Sequence, residues 1–368
     1  MTAWIDGIGA GSLDAVHGGP GPGGLPDGVV DFSVNVNPFG PAPAAREAWK
    51  RADPASYPDP SAVDVRRAAS ELWAVPMECV RFGAGATEHL HRAALAWLEP
   101  GEVGVVPEPC FAEYARALTI ARGRVVRVPP ADEDGTLDLA GTVRSARRHR
   151  ARMVYLGRPN TPTGEVVGLD ALEALRSALP EECLLVLDES FLSFDAESVR
   201  VPPALGPAPG VLGVRSITKD CGLAGLRAGF AIGPPRVVEA LDRIALPWSA
   251  SAPAQLGARA SLEPGSVQYL DDTLRRVRAE LGRLKEDLVE LGLEPRPSRA
   301  NFTCVRIPRK ATLVAALAER GIRVRDCASF GLPAHIRVGV RLPEQNRRLV
   351  GELRDLLSPA PDGRGPCA

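Results

Sequence analysis

Short apolar runs alternating with helix-length stretches constrain this chain more than any other feature. Val103–Val106, Val125–Val128, Met153–Leu156, Leu184–Leu187, Val214–Ile217 and Ala228–Ile232 are each four or five residues long. Runs this short and mainly apolar belong to strands buried on both faces, and the helices between them supply the cover. The middle of the chain is therefore expected to be α/β, built on a mainly parallel central sheet covered by helices.

Beyond residue 265 the period changes. Val267, Leu270, Leu274, Val277, Leu281, Leu284, Leu288 and Leu291 are spaced three and four apart, and Gly292 supplies a stop. This predicts one long amphipathic helix. The stripe runs for under four heptads, which suits packing on its own domain better than a coiled-coil seam, so we read an interdomain helix. Strand-like NFTCVRI (301–307), helical ATLVAALAERG, strand-like HIRVGVR (335–341) and a helix carrying Leu349, Leu353, Leu356 and Leu357 then suit a compact α+β unit. The expected organisation is a large domain over residues 46–265 and a smaller domain over 266–368, with residues 1–45 wrapped on it as a Gly- and Pro-rich arm. The tail PAPDGRGPCA is expected to fray.

Composition enters through what it excludes. A chain of 368 residues is long enough to bury a deep site. Lys+Arg 44 against Asp+Glu 45 leaves a net charge of −1, so no global basic field draws the chain to nucleic acid or to anionic lipid. Partners are expected to be small molecules or protein. Seven scattered cysteines without a CxxC pair argue against a zinc or redox site, no metal is expected, and a reducing cytoplasm fits. The N-terminus has no basic n-region, and no apolar stretch approaches about 18 residues, so neither a signal peptide nor a membrane span is expected.

The chemistry concentrates in SITKDCGLAGLRAGFAIG, residues 216–233. Lys219 sits there among small and hydroxylated residues in an apolar neighbourhood, with Arg227 eight positions on. Alone, a lysine ending a strand reads as a solvated surface residue. Asp188 follows the apolar LLVL, at the carboxyl end of a strand where open α/β sheets form their ligand crevices. Alone, it reads equally as a turn or N-cap aspartate. GAGATE (83–88) lies between a short strand and a helix, where backbone amides can cradle a phosphate, although one Gly-rich loop carries little weight by itself. Together they supply a nucleophilic lysine, a carboxylate and a phosphate cradle with an arginine, the three requirements of pyridoxal phosphate. The lysine forms the Schiff base, the aspartate keeps the pyridine nitrogen protonated, and the arginine binds phosphate with amides and hydroxyls.

With these residues in place, the sequence resembles the fold-type I pyridoxal-phosphate enzymes of the class I/II aminotransferase family. Within that family it is similar to the histidinol-phosphate aminotransferase and threonine-phosphate decarboxylase group. The landmarks cover nearly the whole chain: HGG (17–19), DFSVNVNPFGP (31–41), YPDP (57–60), GAGATE, PEPCFAEY (107–114), PNTPTG (159–164), LDESF, SITK with GLAGLR, LPWS (246–249), ANF (300–302), and VRDCASFGLP followed by HIRVGVR.

The resemblance implies that Lys219 is the Schiff-base lysine and Asp188 the pyridinium partner. It makes Arg227 with Ser216, Gly85, Ala86 and Thr87 the phosphate cradle, adds Thr218 to the cofactor-binding set, and stacks Phe111 on the cofactor ring. Tyr57 resembles the tyrosine that reaches the phosphate of the neighbouring subunit, which implies a homodimer with shared sites. Arg337 matches the arginine that pairs with the substrate α-carboxylate through a bidentate fork. Arg325 resembles a second substrate arginine facing a distal anion, and beside Asp326 it also reads as a surface charge. Asn37 and His17 align with small-domain residues near the substrate, and either type also caps turns.

Two departures stand out. Thr161 occupies the place of the usual asparagine before PTG, and Phe191 occupies that of a common tyrosine three residues after the aspartate, as in decarboxylase-like relatives. Both usual residues donate to the cofactor phenolate oxygen, and losing donors raises the pKa of the lysine–cofactor imine. Thr161 retains a hydroxyl, Asn160 beside it is a substitute donor, and Arg158 adds a cation placed to touch substrate.

Cofactor motifs do not choose which Cα bond breaks, since that depends on which bond lies perpendicular to the ring. The leading expectation is an aminotransferase acting on an amino acid or amino-alcohol phosphate. The alternatives are a threonine-phosphate-type decarboxylase, or a biosynthetic enzyme doing β/γ-replacement or carbon–carbon bond formation through a quinonoid. A transcription regulator on this scaffold is not expected, because no helix-turn-helix pattern accompanies it.

Overall fold

The computed structural model describes residues 18, 19 and 23–358. His17 and the 359–368 tail, both assigned expectations above, lie outside the described residues. Near the N-terminus, β1 (Val30–Asp31) pairs in parallel with β11 (Ile322–Arg323), stitching the arm to the C-terminal part of the chain.

Seven strands form the central sheet: β2 (Val80–Gly83), β3 (Val103–Pro107), β4 (Arg124–Val128), β5 (Met153–Gly157), β6 (Leu184–Asp188), β7 (Val211–Ser216) and β8 (Gly229–Ile232). Their order is β2-β8-β7-β6-β5-β3-β4, parallel from β7 to β4; β8 runs antiparallel to both its neighbours, β7 and β2, and edge strand β2 therefore points the same way as the parallel set. Every residue of β3, β5 and β6 is buried, as a sheet with helices on both faces requires. β4 instead carries exposed Arg124 and Arg127, charges that blunt an open edge. The strand containing Val214 starts earlier than its apolar run, because Gly213 interrupts the pattern without interrupting the backbone.

A second sheet, β12-β13-β10-β9, is antiparallel and built from β9 (Glu294–Pro295), β10 (Phe302–Arg306), β12 (Arg325–Asp326) and β13 (His335–Gly339). The helices Lys310–Glu319 and Pro343–Leu357 cover it. The long helix spans Pro264–Glu290, and its apolar stripe serves two cores. Val267, Leu270, Leu274, Val277 and Leu281 pack with Phe82 and Phe230 of the central sheet. Leu284 and Leu288 pack with Val305, Ile336 and Val338 of the second sheet. One helix thus fixes the two sheets relative to each other, and the cleft between them is where the site lies. No helix among the described residues is long and apolar enough to cross a membrane.

Candidate active site

The cleft has a volume of about 250 Å³ and opens at the carboxyl ends of β6 and β7. Lys219, Asp188, Ser216, Thr218, Thr161 and Phe191 line it from the central sheet and its loops. Ala86, Thr87, Phe111 and Arg227 close a second wall, and Arg325 and Arg337 a third.

Asp188 ends β6, so the strand delivers its carboxylate to the crevice. It is only 8% exposed; Oδ2 accepts from the Tyr114 hydroxyl (3.0 Å) and Oδ1 from the Ser190 amide (3.0 Å). Burial raises its pKa, while Ser190, Tyr114 and the charge of Lys219 pull the other way.

The second wall is shaped around an anion. Gly85 caps the helix Ala86–Trp97 without any side-chain cap, so the first-turn amides face the cleft. Its φ of +92° is glycine territory, and a Cβ there would lie 2.8 Å from Arg227 Nη2. On the other side, a Cβ on Gly229 would meet Ala86 N at 2.6 Å, so that glycine lets the loop lie against β8. Ser216 and Thr218 share a hydrogen bond between their hydroxyls at the end of β7. Amides, a guanidinium and two hydroxyls therefore converge on a space free of side chains.

Lys219 follows β7. Burial, then the charges of Arg337 and Arg227, push its ammonium down to about 8, against the opposing pull of Asp188. Its Nζ stands 5.9 Å from the centre of the Phe191 ring, which packs edge-on against Phe302. The Asn37 amide donates to the Lys219 carbonyl (2.8 Å), and its Nδ2 donates to the Asp220 carbonyl (2.9 Å) and Thr273 Oγ1 (2.8 Å).

Register brings the two arginines together, since Arg325 of β12 faces Arg337 of β13. Arg337 Nη2 donates to the Ser33 carbonyl (2.8 Å), and its guanidinium lies 5.1 Å from the Phe302 ring centre. With its amide oxygen turned inward, Asn35 accepts from Arg337 Nη1 at 3.2 Å. Burial lowers Arg337 to about 10, which leaves it cationic at neutral pH. Arg325 Nη2 donates to Ser329 Oγ (2.8 Å) and its guanidinium stands 4.9 Å from the Phe330 ring centre.

Three expected residues turn away from the cleft. Asn37 spends its side chain bracing the lysine loop instead of lining the cleft. Asn160 donates through Nδ2 to the Pro109 carbonyl (2.8 Å) and Thr163 Oγ1 (3.1 Å), so it shapes the loop while Thr161 faces the cavity. Arg158 is buried and donates through Nε to the Val167 carbonyl (2.8 Å), outside the cleft. Tyr57, expected at a neighbouring subunit's site, is 82% exposed and packs on Trp248 with ring centres 4.7 Å apart and planes tilted by 34°, away from this chain's own cleft. The sequence reading left Tyr114, Ser190, Ser33 and Asn35 without roles, although all four line the cavity. The signal was present for Tyr114, which lies three residues after Phe111.

Known proteins share this chain's sequence and fold. Residues 27–353 match the family described as aminotransferase class I and II. Histidinol-phosphate aminotransferase of Symbiobacterium thermophilum is 36% identical over 339 residues, covering 91% of this chain and 92% of that protein. The crystal structure of histidinol-phosphate aminotransferase from Sinorhizobium meliloti in complex with pyridoxal-5'-phosphate matches with a TM-score of 0.80 at 27% identity, covering 88% of this chain and 89% of that one. L-threonine-O-3-phosphate decarboxylase from Porphyromonas gingivalis shares the fold, with a TM-score of 0.75 at 23% identity over 89% of this chain and 98% of its own. On the match of sequence over nearly its whole length, the chain belongs to the class I and II aminotransferase family.

Proposed function

We propose that this chain is a pyridoxal-phosphate-dependent aminotransferase acting on an amino acid or amino-alcohol phosphate. The observation that carries the reading is one cleft holding Lys219, Asp188 and an uncapped helix end with Arg227, roofed by the paired cations Arg325 and Arg337. The residues fit the cofactor, because the missing Cβ of Gly85 leaves room beside the Arg227 guanidinium, and Ala86, Thr87, Ser216 and Thr218 line the same cleft. When bound, pyridoxal phosphate supplies an electron sink for the substrate's Cα.

The chain's own residues do the rest. Lys219 presents an amine that is substantially neutral near pH 8, so it would hold the cofactor's aldehyde carbon and, when free, could accept the substrate's Cα proton. Asp188 and Phe111 line the same cleft, where they would hold the cofactor's ring nitrogen and cover its ring. Arg337, fixed by Ser33 and Asn35, takes the α-carboxylate and holds it still, which favours loss of the proton over loss of CO₂. Arg325 takes the distal phosphate. Residues 46–265 hold the cofactor, and 266–368 with the 1–45 arm bring the substrate cations. Exposed Tyr57, Trp248 and Leu246 make an apolar surface suited to a second copy, and from it Tyr57 would reach that copy's cofactor phosphate. The scattered cysteines suit a cytoplasmic enzyme.

A decarboxylase acting on a substrate like threonine phosphate is the second reading, favoured by Phe191 standing where a hydroxyl donor is common. Single-turnover measurements separate the two. The holoenzyme mixed with histidinol phosphate or threonine phosphate is expected to convert its cofactor to the amine form without releasing CO₂. Stoichiometric CO₂ from threonine phosphate would overturn the first reading in favour of the second.

A further inference from the structure

We infer that Tyr114 is the positioning residue for Asp188, its hydroxyl holding the carboxylate toward the cofactor's ring nitrogen while Tyr155 braces it from behind. The inference rests on the assignment of Asp188 to that nitrogen. Tyr114 donates to Asp188 Oδ2 at 3.0 Å, and both residues line the cleft. Its ring stacks on Tyr155 with centroids 5.2 Å apart and planes within 4°. The Tyr155 hydroxyl in turn donates to the Leu90 carbonyl at 2.7 Å, inside the helix whose first turn forms the phosphate wall. Phe111 meets Tyr114 edge-on at 5.8 Å. Tyr114 therefore connects the carboxylate, the aromatic wall and the phosphate helix, which must keep a fixed spacing if one rigid ring is to satisfy all three.

The chemistry of the carboxylate calls for such a donor. Burial favours a neutral Asp188, which cannot stabilise a protonated pyridine. Lys219 contributes a helpful charge only while its nitrogen is a free ammonium. What then remains beside the carboxylate is Ser190 on one oxygen and Tyr114 on the other. Burial and the neighbouring Asp188 hold the Tyr114 phenol well above its usual range, so it stays a donor.

A buried tyrosine could equally be packing, and a ligand pair distinguishes the two roles. The full chain, stripped of cofactor, is titrated with pyridoxal phosphate and with its deaza analogue, in which C–H replaces the ring nitrogen. The wild type is expected to prefer the natural cofactor. Tyr114→Phe is expected to lower that preference about tenfold, the value of a hydrogen bond to a charged group worth roughly 1.5 kcal/mol, and to leave the deaza analogue's affinity unchanged. Tyr155→Phe is expected to lower it by a smaller factor, and no change there would remove the bracing role. An equal loss on both ligands, or an unchanged preference in Tyr114→Phe, would overturn the inference. A wild type that does not discriminate would instead overturn the assignment of Asp188, and the inference with it.

Discussion

Gly85→Ala is the sharpest perturbation of the phosphate wall. At φ +92° and ψ 167°, Gly85 occupies a backbone region nearly closed to other residues, where an L side chain costs about 1–3 kcal/mol. The new Cβ would also stand 2.8 Å from Arg227 Nη2 and 3.3 Å from its Cζ, so the guanidinium must swing away from the helix end. Both effects fall on the phosphate, since the strained loop misaims the Ala86 and Thr87 amides just as Arg227 retreats. A charge-assisted hydrogen bond contributes about 1.5–3 kcal/mol, so losing one such contact weakens pyridoxal phosphate binding by roughly one to two orders of magnitude. Pyridoxal, which lacks the phosphate, is expected to bind the variant within a few-fold of the parent. Equilibrium titration of the cofactor-free protein with both ligands measures the ratio, and thermal melts follow the strain separately. Parallel losses on the two ligands, or an unchanged ratio, would refute the placement of the phosphate between Gly85 and Arg227.

Three further expectations follow from the same cleft. In cofactor-free protein, attack of Lys219 on added aldehyde should rise with pH about a midpoint near 8, because only the neutral amine reacts. Removing a neighbouring cation with Arg337→Ala should move that midpoint upward, and a fixed or falling midpoint would contradict the charge coupling. In steady-state assays, Arg337→Ala should raise KM chiefly for substrates with an α-carboxylate and Arg325→Ala chiefly for those with a distal phosphate; identical effects of both variants on both substrate types would contradict their division of labour. Thr161→Asn combined with Phe191→Tyr should lower, by up to about a unit, the pH midpoint of the bound cofactor's absorbance, since two new donors favour the phenolate. An unmoved midpoint would show that another donor already serves that oxygen.

Much of this architecture was legible because it follows from periodicity. The fully buried strands announced themselves as continuous apolar runs, and the stripe from Val267 to Leu288 gave the long helix, although not the fact that its two ends serve different cores. Side-chain direction was harder to read. Asn37, Asn160 and Arg158 lie one or two residues from cleft-lining neighbours, yet nearby carbonyls capture their donors, and sequence does not disclose that competition. Tyr114 was hidden for a related reason: its partner Asp188 is far along the chain and meets it only when β6 and the helix Glu113–Ile120 come together. Asn35 gains its role only because the segment around Phe32 and Ser33 lies against β13, where Gly339 donates to the Phe32 carbonyl and Arg337 to the Ser33 carbonyl.

The central claim is that this cleft presents Lys219 to pyridoxal phosphate, and a chemical label tests it directly. The chain contains four lysines, at 50, 219, 285 and 310. Borohydride reduction of the protein loaded with pyridoxal phosphate, followed by peptide mapping, is expected to place one pyridoxyl group per chain on Lys219 alone. A label on Lys50, Lys285 or Lys310 in its place, or an unlabelled chain after loading with fresh cofactor, would contradict the account.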